Sequence, residues 1–127
     1  MTFAVRCLPS VVMTPRTPAL DLLLSVLQQG AELLKRDLTV TCGREGHGPD
    51  DPHSKVQALD VRSRDLAEGQ IVALYEFLRK TLGPKWTVLY EVPAKPKGFL
   101  AGIAYVNPKA SAQHFHIQPV KGTSWPT

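Results

Sequence analysis

Between Thr17 and Arg36 the chain places Leu20, Leu23, Leu24, Leu27, Ala31 and Leu34 at steps of three and four. That spacing lays one apolar stripe along a helix and leaves the opposite side polar. Thr17 suits the N-cap, and Pro18 suits the first helical position, where a missing N–H costs nothing. The helix is expected over about residues 18–36. Gly30 inside it costs ~1 kcal/mol relative to Ala, which the long stripe offsets. A second stripe, Ile71, Leu74, Leu78 and Leu82 with Val72 and Tyr75 beside it, predicts a helix over 66–83, stopped by Gly83 and Pro84. Two one-sided helices need a shared apolar surface to cover.

The segments around them supply it. "DLTVTC" (37–42) alternates and is β-branched, which predicts a strand. "VQALDVRS" (56–63) reads as another, with Val56, Ala58 and Asp60 expected on one face. "KWTVLYEVP" (85–93) puts Trp86, Val88 and Tyr90 on one side and Thr87, Leu89 and Glu91 on the other. "QHFHIQPV" (113–120) is the last strand, and residues 1–13 form a strand or an extended arm. The Gly- and Pro-rich stretch 94–112 is a flap, a hairpin arm or a packed loop. The order β-α-β-β-α-β-β predicts an α+β fold, a small, mostly antiparallel sheet with two main helices on one side. With no repeat and no linker, 127 residues suit one core, so a single domain over 1–127 is expected.

Composition narrows the partners. A chain that is 43% hydrophobic and 20% charged is a folded domain rather than a disordered one. The net charge of +4 favours anionic partners only weakly. No basic block is interleaved with aromatics, so nucleic acid is not an expected partner. No run approaches the ~20 apolar residues of a membrane span, and no membrane partner is expected. Arg6 and Pro9 interrupt the apolar start, unlike the core of a signal peptide. That predicts synthesis in the cytoplasm, with any exit by a route not written there. Cys7 and Cys42 read as two thiols of a reducing compartment in preference to one bridge.

Three of the four histidines fall in two places that suit metal chemistry. His53 closes the loop "GREGHGPDDPHSK" and Asp60 follows seven residues on. An extended run of that length spans more than about 20 Å, so the loop must fold back for both to reach one cation. His114 and His116 are two apart on a strand and share a face. If that strand pairs antiparallel beside Asp60, one of them completes a His-Asp-His set, and a zinc with three protein ligands keeps one position open. His116 is the chosen ligand and His114 its neighbour. Cys42 stays a further candidate ligand. Asp50 and Asp51 are turn residues, or alternative ligands if His53 is not one. His47 lines the cleft, binds a second ion or is solvated.

"VTCGREGHGPDDPHSKVQALDVRSRDL" followed by "HFHIQ" resembles the zinc-dependent D-Ala-D-Ala carboxypeptidase and L-alanyl-D-glutamate endopeptidase family, which shares its fold with the hedgehog signalling domain. The likeness covers roughly residues 35–118 and includes "ALD" around the aspartate and "LGPKWTVLYE" after the second helix. It implies a hedgehog/DD-peptidase-like fold, Zn²⁺ as cofactor, and His53, Asp60 and His116 as its ligands. Arg44 matches the basic residue that such enzymes set against the substrate carboxylate, a task its planar donor fork suits.

One position departs from the family pattern. Three residues before the last ligand these peptidases carry an acid that takes a proton from the attacking water and delivers it to the leaving amine. Here Gln113 stands there, and an amide is no base near neutral pH. Glu91, His114 or the metal alone remain to supply the proton chemistry, with Gln113 left to hydrogen-bond an oxyanion. The resemblance therefore implies a peptidase acting on peptidoglycan stem peptides, of the bacteriophage endolysin kind, working at the cell wall or in a virion. The competing expectation is a zinc-binding structural or wall-recognition protein among virion proteins, with catalysis lost at Gln113. A third reading leaves the histidines without any metal.

Overall fold

The computed structural model describes residues 3–11, 17–42, 58–110 and 112–120. In chain order the elements are β1 (Val5–Cys7), α1 (Pro18–Leu34), β2 (Leu38–Cys42), β3 (Leu59–Arg62), α2 (Glu68–Leu82), β4 (Trp86–Val92), a 3₁₀ turn (Gly98–Gly102), β5 (Ala104–Val106) and β6 (His114–Pro119). Thr17 caps α1, its Oγ1 accepting from the Leu20 N–H at 3.1 Å, with Pro18 opening the helix. Lys35, in the left-handed region at φ 54°, ends it at Leu34, two residues short of the expected end. At α2 the Gln70 side chain accepts from the Ala67 N–H at 2.9 Å, and Gly83 at φ 80° closes the other end.

The six strands form one sheet in the order β1-β2-β3-β6-β4-β5. The middle of it is antiparallel: β2 with β3, β3 with β6, and β6 with β4. Both ends are parallel, β1 with β2 and β4 with β5. The fold is α+β, and the expectation of a mostly antiparallel sheet gives way to a mixed one. The reason lies in the connections. A strand that returns to its neighbour through a crossover arrives parallel, as β2 does after α1. The 94–112 stretch does the same: its 3₁₀ turn buries Leu100, and the chain then runs back along β4 as an edge strand.

Both helices cover one face of the sheet. Leu20, Leu23, Leu27 and Ala31 of α1 and Ile71, Leu74 and Leu78 of α2 meet Val40, Leu59, Val61, Val88, Tyr90, Phe115 and Ile117 in one buried cluster. In β3 the core-facing residues are Leu59 and Val61, so the expected pairing of Asp60 with an apolar face is corrected: Asp60 lies on the opposite side. Full burial of two large side chains decides the phase of a strand, and Ala58 is buried just outside it.

Gly30 marks the closest approach of the helices. A Cβ there would stand 2.9 Å from Leu74 Cδ1. The missing side chain is what lets α1 and α2 pack, so its poor helix propensity comes with a packing gain. Gly30→Leu is expected to lower stability by about 1–3 kcal/mol through overpacking, read as a lower denaturant midpoint at unchanged slope.

Candidate functional site

The face of the sheet turned away from the helices is set by the pleat. Phe115 and Ile117 are fully buried against the helices, so His114, His116 and Gln118 project from the other side of β6. Asp60 stands directly opposite His116, and Arg62 opposite His114. On the other flank Glu91 stands opposite His114. Residues far apart in the chain thus meet across three adjacent strands, all of them partly buried.

His116 is held from both ends. Its Nδ1 lies 2.9 Å from Asp60 Oδ1 and its Nε2 2.6 Å from Gln118 Oε1. Asp60 Oδ1 accepts from a protonated Nδ1, and an acceptor at each nitrogen favours the doubly protonated ring. Burial is the largest single influence on its pKa and pushes it down. The hydrogen bonds to Asp60 and Gln118, with the charges of Asp60 and Glu91, together outweigh that and raise it above 6.5.

His114 is oriented differently. Its Nδ1 lies 2.9 Å from the Ala112 carbonyl, which can only accept, so Nδ1 carries a proton. Nε2 then faces two carboxylates, Asp60 Oδ2 at 3.9 Å and Glu91 Oε1 at 3.7 Å. Glu91 is itself steadied by Asn107, whose Nδ2 donates to Oε2 at 2.7 Å. Two carboxylates and two imidazoles around one small volume can share protons, or give them up to a cation.

Asp60 and His116 could supply two of the ligands that a divalent metal needs. Two ligands of a tetrahedral zinc, with bonds of roughly 2.0–2.1 Å, stand about 3.3 Å apart. Asp60 Oδ1 and His116 Nδ1 at 2.9 Å need to part by only a few tenths of an ångström once the shared proton leaves. The other nitrogen of His116 is already placed to donate to an acceptor, as the second nitrogen of metal-ligating histidines does. Among the described residues no three His, Cys, Asp or Glu side chains are arranged around one cation. His53, the expected third ligand, lies outside the described residues, as do Arg44, His47, Asp50 and Asp51. The Cα of Cys42 pairs with that of Asp60 in the β2–β3 register.

Gln113 is exposed just ahead of β6. It helps to line a cleft of about 210 Å³ with Thr41, Arg62, Arg64, Ala112 and His114. Sequence reasoning passed over Gln118, Arg62 and Asn107. The first two share strand parity with His116 and Asp60 and were legible by that rule. Asn107 follows the edge strand β5, and no local pattern announces its contact with Glu91.

No helix among the described residues is long and apolar enough to cross a membrane. Comparison with known proteins finds no matching family model, no matching curated protein and no matching solved structure.

The raised pKa of His116 has a thermodynamic sign. Folding favours the protonated ring, so the contribution is fully present below 6.5 and is lost as pH rises through the folded value. With a chelator present, the melting temperature should fall across that interval, and His116→Gln should flatten the fall. A melting temperature independent of pH there would contradict the upward shift of His116.

Proposed function

We propose that this chain is a zinc-dependent, peptidase-like domain of the hedgehog/DD-peptidase type, acting on peptidoglycan stem peptides and of the bacteriophage endolysin kind. The observation that carries the reading is the Asp60–His116–Gln118 array, in which a carboxylate and an imidazole converge while an amide oxygen holds the ring from behind. Asp60 and His116, with His53 from the preceding loop, would hold the ion. Zinc at such a site polarises a carbonyl and acidifies water toward neutral pH.

The chain's own residues then divide the remaining work. Glu91 and His114 lie 3.7 Å apart and form the proton-handling pair that replaces the family's missing acid. His114, with Nδ1 bonded to the Ala112 carbonyl, presents Nε2 to the reacting atoms. Asn107 fixes the Glu91 carboxylate so that Oε1 points at that nitrogen. Gln113, an amide beside the cluster, can donate to an oxygen that gains negative charge but cannot take a proton. Arg44 is the proposed contact for a substrate carboxylate.

Gln113 also favours a second reading, in which zinc is bound without turnover in a structural or wall-recognition protein of a virion. Metal analysis beside a peptidoglycan cleavage assay separates the two. One zinc per chain, with fragment release abolished by chelator and restored by zinc, supports the peptidase. One zinc without cleavage supports the second reading, and no zinc overturns both. In an active protein Glu91→Gln is expected to slow cleavage roughly 10²–10⁴-fold at unchanged zinc content. Gln113→Ala should cost less than that.

A further inference from the structure

Beyond β4 the chain has a charge pattern that the histidine–carboxylate cluster does not use. From Val92 to Thr127 it carries Lys95, Lys97, Lys109 and Lys121 and neither Asp nor Glu. The first three leave the sheet at one corner. β4 and β5 run parallel, so Lys95 and Lys97, just past the end of β4, and Lys109, just past the end of β5, emerge at the same end. All three are exposed. The same corner holds apolar side chains that the core does not take. Phe99, in the 3₁₀ turn, is 83% exposed while its neighbour Leu100 is buried. It stands beside the first turns of α2, where it borders an apolar hollow of about 250 Å³ with Glu68, Gly69 and Val72. Tyr105 and Val106, on the edge strand, are 53% and 44% exposed. Strand parity puts them on opposite sides of that edge, so a surface meeting the edge touches both. Exposed apolar side chains grouped in this way mark an interaction site.

We propose that this corner docks on the surface of an anionic lipid bilayer, with Phe99, Tyr105 and Val106 entering the headgroup region and Lys95, Lys97 and Lys109 meeting its phosphates. The assignment is independent of zinc and of the peptidase reading. Aromatic side chains sit well at the membrane–water boundary, and lysine stems lie along apolar surface with their charge among the headgroups. Each lysine near an anionic leaflet adds roughly fivefold to binding. The expectation of no membrane partner rested on the lack of a spanning run, which a surface contact does not need. Other occupants suit the corner less well. A second copy would add a strand to β5, which is three residues long and too short to hold a second chain by backbone pairing alone. Single-stranded nucleic acid offers phosphates to the lysines and bases to the aromatic rings, but nothing for Val106. Glu68, beside Phe99, opposes the lysines, so removing its charge should strengthen the contact.

The test needs neither metal nor turnover. The full chain, kept with a chelator, is sedimented with vesicles of phosphatidylglycerol and phosphatidylcholine in equal parts, and with vesicles of phosphatidylcholine alone. The mixed vesicles should bind at least tenfold more tightly, and that binding should weaken as salt rises. Phe99→Ser should weaken it roughly tenfold at an unchanged melting temperature, because so exposed a side chain adds little to the core. Lys95→Gln, Lys97→Gln and Lys109→Gln together should weaken it roughly 10²-fold. Lys80→Gln with Lys85→Gln, exposed where α2 ends and β4 begins, is the charge control and should weaken it less than Lys95→Gln with Lys97→Gln. Equal binding to both vesicles, or to neither, overturns the proposal. Binding unchanged in Phe99→Ser also overturns it, as do equal losses in the two double variants, which would reduce the contact to net charge. A single-stranded oligonucleotide bound more tightly than the mixed vesicles overturns it, and so does a dimer that Phe99→Ser dissociates.

Discussion

The strand β6 carries the molecule. Phe115 and Ile117 are fully buried against both helices, and β6 is hydrogen-bonded on each side, to β3 and to β4. A strand so placed has no freedom of phase: a slip by one residue would put two histidines and a glutamine into the core and two large apolar side chains into the open. The burial energy of the core face thus also holds the chemistry in place. Asp60 faces His116, and Glu91 faces His114, because hydrophobic side chains on the other side of the sheet fix the phase of each strand and the backbone pairing sets the register.

The polar side of the sheet is organised by matched donors and acceptors. Each imidazole has one nitrogen committed to a neutral oxygen, Gln118 for His116 and the Ala112 carbonyl for His114. Each leaves its other nitrogen toward a carboxylate. The rings point into a common volume instead of rotating in solvent. Second-partner hydrogen bonds of this kind orient a ligand or a base before anything binds.

Much of this was legible in the sequence. The cap at Thr17 and Pro18, the leucine stripes and the alternation of "KWTVLYEVP" reflect local rules, and they mark both helices and β4 to within two residues. The shared face of His114 and His116 follows from strand parity alone. What was not legible is non-local. The parallel pairing at the two sheet ends depends on where a connection returns, which no window of residues encodes. The strand "VQALDVRS" was read in the wrong phase, because Leu59 and Val61 declare themselves only once the helices bury them. Asn107 meets Glu91 through the edge strand that the Gly- and Pro-rich stretch builds, and that stretch gave no period to read. Arg62 and Gln118 were readable by parity but became informative only when the neighbours of each strand were known.

The order of strands has a consequence for how the cluster comes into being during synthesis. The element latest in the chain among those described, β6, lies in the middle of the sheet, between β3 and β4. Until residues 114–119 emerge, those two strands have no partner between them, and Asp60 and Glu91 face an open gap. Early chain segments can settle helix on strand, but the cluster exists only after one long-range insertion, the slow kind of folding event. A nascent chain therefore has neither a finished core nor a formed polar cluster. Both arrive together, when the last of the described strands is threaded home.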